Sequence, residues 1–219
     1  MDVTVVIPCR AGSTRVKNKN FRPFGGSNLL EIKVNQAKSL GLPTVVNSDS
    51  EIAKEIAKKH NINFTERPEY YASSKCNNSE YYEYLANSVS TEYIMILQPT
   101  APLLNDSTLI NCYNEFSKNL DKYDSLVTVQ YAKKHAWYNN KPINYDLKNT
   151  PNSQDLNPIM FPTFNVMICK VSSLLKTKNA ITEKCLFYQV EDNEAIEIDD
   201  QLEFDVAEFL YNKFKNENK

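Results

Sequence analysis

The sequence predicts an α/β fold in which helices cover both faces of a largely parallel sheet. Short apolar runs without polar alternation, at residues 3–7, 93–97 and 125–129, are typical of central strands that are covered on both faces. Segments with apolar residues at helical spacing lie between these runs. Because strands that alternate with helices form parallel sheets, the first 130 residues favour this architecture.

The first two helices are predicted from spacing and from their ends. Leu30 and Val34 lie one turn apart, and Gly41 is expected to end the first helix. In the second strand, PTVVNS, Ser48 stands three residues before Glu51, which predicts a cap for the next helix. Further helices are predicted around 82–89, 106–116 and 203–214, and further strands at 164–169, 186–190 and the start of EIDDQLEF.

Residues 132–160 differ in texture from the rest of the chain. They are rich in Asn and contain three prolines. A long irregular segment inside a compact chain is usually a functional loop or an insertion. We therefore predict a core made of residues 1–131 and 161–219 and an inserted lobe at 132–160.

Composition excludes several classes of function. The net charge is −2, so no basic field indicates nucleic-acid binding. No apolar run approaches the roughly 18 residues that span a bilayer, so no membrane partner is expected. The five cysteines form no CxxC pair, which argues against a zinc site. The start, MDVTVVIP, does not resemble a signal peptide, so we expect a cytoplasmic protein with reduced thiols.

The stretch IPCRAGSTRVKNKN, at residues 7–20, follows the first predicted strand. Ligands of open α/β sheets bind beyond the carboxyl ends of strands. Gly12 would let the backbone approach a phosphate, and Arg10, Arg15, Lys17 and Lys19 bring positive charge to the same loop. A solvated basic turn is the other interpretation. The stretch is neither a Walker A motif nor GxGxxG, so a nicotinamide-dependent oxidoreductase is not indicated.

Six stretches, in order along the chain, resemble the acylneuraminate cytidylyltransferase family, which includes CMP-sialic acid and CMP-KDO synthetases. They are IPCRAGSTRVKNKNFRPFGG, VVNSDSEIAKEIAKKHN, ERPEYYASS, ILQPTAPL, SQDLNPIMFPTFNVMIC and EIDDQLEF. The resemblance implies a Rossmann-like three-layer α/β/α sandwich with a small dimerisation insertion, and hence a homodimer. It also implies transfer of CMP from CTP to an acidic sugar of the nonulosonic acid type, with Mg²⁺ and with release of pyrophosphate.

The resemblance also implies roles for particular residues. Those expected to bind the nucleotide are Arg10, Ala11, Gly12, Ser13, Asn20, Arg67 and Ser73. Those expected to act in catalysis are Lys19, Arg10 and Asp199, with Lys19 offsetting charge as pyrophosphate leaves. Those expected to contact the acceptor are Gln98, Thr100 and Asn165. Asp49 could be a helix cap or a site residue, and the cap interpretation is favoured.

Two carboxylates are predicted to hold Mg²⁺. Glu197 and Asp199 are two apart on an extended segment, so both side chains can face one side. Carboxylate oxygens suit Mg²⁺, and the resemblance points to Asp199 as the main ligand. Glu197 stands where the family usually has Asp. A capped, solvated helix start is the other interpretation of this acidic cluster, and Asp200 is predicted to be the N-cap.

Departures from the family pattern fall on the acceptor side. Leu104 stands where the sialic acid enzymes usually have arginine, and Val166 replaces the glycine after Asn165. A sugar carboxylate needs a cation or fixed donors, so Lys133, Lys134 or Lys141 could replace the arginine. Alternatively, the acceptor is a non-sugar phosphonate or small phosphate. A catalytically degenerate nucleotide-binding protein is a third possibility, and the retention of both Lys19 and Asp199 argues against it.

Overall fold

The computed structural model describes residues 1–13 and 15–217. The strands within these ranges are β1 (Val3–Cys9), β2 (Thr44–Ser48), β3 (Asn63–Glu66), β4 (Tyr93–Leu97), β5 (Ser125–Ala132), β6 (Trp137–Tyr138), β7 (Lys141–Pro142), β8 (Ile159–Lys170) and β9 (Cys185–Gln189). The helices are α1 (Leu29–Ser39), α2 (Glu51–Lys59), α3 (Glu69–Ala72), α4 (Asn78–Asn87), α5 (Asp106–Ser117), α6 (Val171–Thr177) and α7 (Gln201–Glu217), with a 3₁₀ turn at Ser153–Asp155.

The main sheet has the strand order β3-β2-β1-β4-β8-β5-β9. Its neighbouring strands are parallel except at β8, which runs antiparallel to both β4 and β5. The predicted α/β fold with a mainly parallel sheet is therefore confirmed. The carboxyl ends of β1, β2, β4 and β5 meet at one edge of this sheet, where ligands of such folds bind.

Helices cover both faces of the sheet because the central strands are apolar on both sides. Every residue of β4 is buried. Met95 and Leu97 pack on one face with α1, α2 and α5, while Ile94 and Ile96 pack on the other with α4 and α6. Full burial of one such side chain stabilises the fold by about 1.5–3 kcal/mol. The two clusters therefore hold the helices against both faces of the sheet, which gives three layers.

In the main sheet, one strand was not predicted, and one predicted strand is absent. The edge strand β3 was not predicted because its sequence, NFTE, is only partly buried and offers no apolar run. The strand predicted at the start of EIDDQLEF does not form. The backbone there makes one hydrogen bond to the neighbouring loop, from Ile198 N–H to the Thr100 carbonyl at 2.8 Å, in place of a ladder.

The helix caps follow local hydrogen bonds. The predicted cap at Ser48 is wrong, because Ser48 ends β2 and Ser50 is the N-cap of α2, accepting from the Ala53 N–H. The predicted cap at Asp200 is confirmed. Its carboxylate accepts from the Glu203 N–H at 2.9 Å, and the Glu203 carboxylate accepts from the Asp200 N–H at 3.1 Å. This reciprocal arrangement satisfies two backbone donors at the start of α7.

The segment between β5 and β8 contains only the β6–β7 hairpin and the 3₁₀ turn. It is held together by the buried amide of Asn144, which donates to the carbonyls of Lys134 and Asn157, at 2.9 Å in each case. Large apolar side chains of this segment face solvent, namely Trp137, Tyr138, Ile143 and Leu147. In the described part of the chain, no helix has both the length and the apolar character needed to cross a bilayer.

The carboxyl-terminal helix α7 packs on the loop that precedes α1. The Phe24 ring contacts the rings of Phe204 and Tyr211, with centroids 5.3 Å apart in both pairs. Next to it, Gly25 and Gly26 both have left-handed φ angles, of 56° and 81°. A Cβ atom on Gly25 would overlap the Tyr211 ring, whereas one on Gly26 would meet no heavy atom within 4 Å.

Gly25→Ala and Gly26→Ala therefore form a matched pair. A left-handed alanine costs about 1–2 kcal/mol, and overpacking adds about 1–3 kcal/mol. We expect Gly26→Ala to lower the free energy of unfolding by the first amount only and Gly25→Ala by the sum. Urea unfolding of the two variants measures the difference. Equal losses would contradict the packing of α7 against this loop.

Candidate active site

A cleft of about 290 Å³ opens at the carboxyl ends of β1 and β4. Its walls come from the loop after β1, the segment from β3 to α4, the loop after β4 and the residue before the α7 cap. The lining residues are Pro8, Arg10, Ser13, Arg15, Lys19, Asn20, Arg67, Tyr71, Ser73, Cys76, Asn78, Tyr81, Gln98, Pro99, Thr100 and Asp199. Most residues predicted from the sequence thus meet in one cleft, although Ala11, Gly12, Asn165 and Glu197 are not part of its lining.

The loop after β1 is anchored by its own buried residues. Val16 packs in the cluster that contains Phe24 and Ile198. Asn20 is also buried, and its amide donates to the Arg10 carbonyl at 3.4 Å. The Asn20 Oδ1 atom has no hydrogen-bond partner among the described residues. Buried polar atoms are normally paired, so this oxygen is an exception within the loop.

A carboxylate from the next strand along the sheet holds the middle of this loop. The Ala11 N–H donates to Asp49 Oδ1 at 2.7 Å. The favoured interpretation of Asp49 as a helix cap is therefore wrong, because Ser50 caps α2 and Asp49 orders the loop. The adjacent Gly12 is not left-handed, and a Cβ atom there would meet nothing within 4 Å. The fold does not require glycine at this position, and its absence of a side chain leaves the backbone open to a ligand.

Lys19 joins this loop to the acidic segment before α7. Its side chain is largely buried, its ammonium donates to the Ile198 carbonyl, and it lies 3.7 Å from Asp199 Oδ1. Burial lowers the pKa of Lys19, while the charges of Asp199 and Glu197 oppose that shift. The ammonium is thus held at one wall of the cleft by groups that favour its charged form.

The two acidic residues lie on either side of the buried Ile198. Asp199 accepts from the exposed guanidinium of Arg15 at 2.7 Å. Glu197 accepts from the Thr100 hydroxyl at 3.1 Å. Loss of surrounding water raises the pKa of Glu197, as does the charge of Asp199, while the Thr100 hydrogen bond lowers it. Both carboxylates are near the Lys19 ammonium, so cations and carboxylates converge at this end of the cleft.

The opposite wall is aromatic. The Arg67 Nε–H donates to the Tyr71 carbonyl at 2.9 Å, and the guanidinium stacks over the Tyr81 ring at 3.8 Å. The Tyr81 hydroxyl donates to Asn47 Oδ1 at 3.0 Å. Such a cation–π contact fixes the guanidinium plane. Ser73, also predicted, lines the same wall.

Sequence reasoning missed four lining residues on this wall, namely Tyr71, Cys76, Asn78 and Tyr81. The sequence does mark the start of α4, which carries Asn78 and Tyr81. Asn77 and Glu80 form a capping box, so the pattern N-x-x-E marks the start of α4. A helix that begins there brings its first residues to the cleft, directly after the ERPEYYASS stretch.

Asn165 is fully buried and lies outside the cleft lining. Its amide donates to the Glu194 carbonyl at 2.6 Å, and its own carbonyl accepts from the Gln98 N–H at 3.3 Å. The Glu194 carboxylate, also missed from the sequence, is buried and accepts from the Asn105 N–H at 2.7 Å. Direct contact of Asn165 with an acceptor stays a prediction, whereas its contact with the loop that carries Gln98 is a feature of the fold.

The acceptor side offers no arginine at position 104. Leu104 is buried in the core beside α1 and α5. The lysines considered as replacements, Lys133, Lys134 and Lys141, are exposed and are not part of the cleft lining. Lys133 instead donates to the Gln154 carbonyl at 2.6 Å.

A preformed metal cage is absent from the described residues, which contain no group of three or more His, Cys, Asp or Glu side chains that could hold an ion. Glu197 and Asp199 supply two carboxylates at one end of the cleft. Mg²⁺ commonly binds through one or two carboxylates together with substrate phosphates. The donor set therefore fits a magnesium ion that arrives with a phosphorylated substrate.

An α/β fold with a cationic loop after β1 and two carboxylates beside that loop is an arrangement that suits nucleotidyl transfer. Residues 4–201 match the family profile described as Cytidylyltransferase, and the chain belongs to that family.

Similar proteins share the fold over most of the chain. The N-acylneuraminate cytidylyltransferase of Escherichia coli O18:K1:H7 (strain RS218) is 26% identical over 99% of this chain, which spans about half, 54%, of that relative. The pseudaminic acid cytidylyltransferase of Campylobacter jejuni serotype O:2 is 30% identical over 69% of this chain and 71% of its own length. The structure of CMP:2-keto-3-deoxy-manno-octonic acid synthetase complexed with CTP is 10% identical and superposes with a TM-score of 0.67, covering 99% of this chain and all of that one.

The Asp49 contact generates a test of the loop. Asp49→Ala removes the acceptor of the Ala11 N–H, whereas Asp49→Asn keeps a carbonyl oxygen in the same place. An exposed hydrogen bond contributes about 1 kcal/mol, so we expect CTP to bind roughly three- to tenfold more weakly to the alanine variant. Isothermal titration of both variants measures this change. Equal weakening by the two substitutions would mean that charge, and not loop order, is what Asp49 supplies.

Proposed function

We propose that the protein transfers CMP from CTP to the hydroxyl of an acidic sugar of the nonulosonic acid type and releases pyrophosphate. The observation that carries this proposal is the convergence at one end of the cleft: the cations of the loop after β1 meet the carboxylates of residues 197 and 199. The names of the relatives, which act on N-acylneuraminate and pseudaminic acid, support an acidic sugar as the acceptor.

The loop cations suit a triphosphate. Arg10, Arg15 and Lys19 line one side of the cleft, and Arg67 lies on the opposite wall. Gly12 has no side chain, and nothing lies within 4 Å of the place where a Cβ atom would be, so a phosphate oxygen can approach the backbone there. Ser73 and the amide of Asn20 add polar contacts. Charge neutralisation of this kind is the main requirement of phosphoryl and nucleotidyl transfer.

The reaction forms one bond and breaks one. The acceptor hydroxyl gives its proton to water as its oxygen bonds to the α-phosphorus, and the bond from that phosphorus to the bridging oxygen breaks, so that pyrophosphate leaves. Lys19 is fixed between Ile198 and Asp199 and offsets the negative charge that develops on the leaving group. Gln98 and Thr100, on the loop after β4, lie where they can orient the acceptor.

Magnesium is part of the proposal. Asp199, with Glu197 beside it, would hold the ion, which would supply positive charge against the charge of the triphosphate. Arg15 contacts Asp199 at 2.7 Å, so this ion pair would have to loosen before Asp199 could hold the ion. Arg15 is exposed and can turn toward a phosphate once the carboxylate has another partner.

A second candidate acceptor is a non-sugar phosphonate or small phosphate. The observation that favours it is Leu104, which is buried in the core and cannot supply the cation that a sugar carboxylate needs. A smaller acceptor would place fewer demands on that side of the cleft.

Pyrophosphate release with CTP and Mg²⁺ tests the proposal. The acceptor panel contains sialic, legionaminic, pseudaminic and KDO-type sugars, then phosphonates and simple phosphates. We expect turnover with one sugar acid. Turnover only with a phosphonate or phosphate would establish the second candidate. CTP binding without turnover on any acceptor would establish the nucleotide-binding alternative.

Substitutions of Asp199 and Lys19 should affect different steps, metal binding and turnover respectively. Loss of even an outer-shell partner of a metal ligand costs about 10–100-fold in metal affinity, so Asp199→Asn should weaken Mn²⁺ binding to the CTP complex at least about tenfold. Lys19→Met should leave Mn²⁺ affinity intact and lower kcat roughly 10²–10³-fold, as removal of one charge-stabilising donor does. Electron paramagnetic resonance of free Mn²⁺ and pyrophosphate release measure the two effects. Unchanged Mn²⁺ affinity in Asp199→Asn would place the ion elsewhere.

We further propose a homodimer whose interface includes the inserted lobe at 132–160, and a cytoplasmic location. Exposed apolar residues that are contiguous mark interaction surfaces, and the neighbouring Trp137 and Tyr138 are 52% and 70% exposed on this lobe. The five thiols are free, which suits a reducing compartment. Sedimentation of the chain and of Tyr138→Lys tests the dimer, and a wild-type monomer at all concentrations would rule it out.

A further inference from the structure

A lysine lies buried beneath the loop that follows β4. Lys33, on α1, has no exposed surface. Its Nζ atom donates to the Ala101 carbonyl at 2.9 Å and to Gln36 Oε1 at 2.6 Å. Burying an amine costs free energy, and hydrogen bonds inside the protein offset only part of that cost. An apolar side chain would fill the same space without that cost, so the two hydrogen bonds require an explanation.

Gln36 continues the contact one turn further along α1. It is also buried, and its amide donates to the Leu104 carbonyl at 2.7 Å and to Asp106 Oδ1 at 3.0 Å. The two side chains therefore bind both ends of the four-residue segment 101–104. This segment follows Gln98 and Thr100 directly, and both of those residues line the cleft.

The loop is in turn joined to the acidic segment. The Thr100 carbonyl, one peptide away from Ala101, accepts from the Ile198 N–H at 2.8 Å. The Ile198 carbonyl accepts from the Lys19 ammonium. A continuous set of hydrogen bonds thus runs from the buried face of α1 through the loop to the cation and carboxylates of the cleft.

We propose that Lys33 and Gln36 are positioning residues for the acceptor: they hold the 98–104 loop from below, in register with residues 197–199, so that Gln98 and Thr100 meet the acceptor hydroxyl at the right distance from the α-phosphorus. This inference rests on the proposed function. It adds to that function a pair of residues which touch neither substrate and which serve the acceptor side of the cleft.

The contacts do not depend on the charge of the lysine. Burial lowers the pKa of Lys33 to about 7, and the charge of Asp106 opposes that shift. An amine that has lost a proton still has two N–H groups, and it has two acceptors here. Both hydrogen bonds can therefore form on either side of neutral pH, although those from the charged form are stronger.

Lys33→Met is the test substitution, because methionine has a similar length and no donor. It leaves the Ala101 carbonyl and Gln36 Oε1 without their partner. Ser125→Ala is the matched control. Ser125 is also fully buried and hydrogen-bonded, to Thr182 at 2.8 Å, but it lies at the amino-terminal end of β5, the opposite edge of the sheet. Gln36→Leu serves as a second test should Lys33→Met fail to fold.

Three readouts separate positioning from stability. A misplacement of about 1 Å can cost about a hundredfold in rate, so we expect Lys33→Met to lower kcat/KM for the acceptor roughly ten- to hundredfold. The Kd for CTP should change less than about threefold. Hydrogen–deuterium exchange should rise at residues 98–104 and 196–200 and stay unchanged in the control.

The proposal is overturned by either of two results. One is that Lys33→Met and Ser125→Ala both lower kcat/KM for the acceptor and the affinity for CTP in proportion to their loss in Tm. The other is unchanged exchange at residues 98–104. A wild-type protein that is inactive on every acceptor would refute the proposed function. Hydrogen exchange does not depend on turnover, so it would still show whether Lys33 holds the 98–104 loop.

Discussion

The site depends on one contact, between the buried ammonium of Lys19 and the backbone of Ile198. Lys19 belongs to a loop near the amino terminus, and Ile198 lies 179 positions later. This hydrogen bond closes one end of the cleft. It also sets the distance between the cations after β1 and the carboxylates before α7. Val16 and Ile198 pack in the same apolar cluster, so burial of hydrocarbon helps to hold the charged groups in place.

Several buried polar side chains near the cleft form hydrogen bonds that hold loops in place. Lys33 and Gln36 hold the loop after β4, Glu194 holds its far end through Asn105, and the Asn165 amide donates to the Glu194 carbonyl. Each of these groups lost its hydration on folding, and each recovered hydrogen bonds to backbone atoms. Since unpaired backbone carbonyls and amides are costly inside a protein, these side chains fix loops that have no ladder of their own.

The features that could be predicted from the sequence are those that depend on residues close together in the chain. Apolar runs such as 93–97 predicted central strands, and the place of Asp200 before an acidic helix start predicted a cap. The orientation of β8 was not visible, because an apolar strand has the same composition in either direction. Asp49 was misjudged because its partner, the Ala11 N–H, is 38 positions away. Tyr71 and Tyr81 were missed since an aromatic residue on a helix predicts burial in general and not a place in a cleft.

The antiparallel direction of β8 has a consequence for how such chains can vary. Ala132 at the end of β5 pairs with Ile159 at the start of β8. The inserted lobe therefore leaves and re-enters the sheet between two backbones that are already neighbours. Closing a longer loop between fixed ends costs only about 0.6 kcal/mol for each doubling of its length. The core can thus accept lobes of different length and sequence with little penalty to folding, and it presents each of them at the edge of the sheet where the cleft opens.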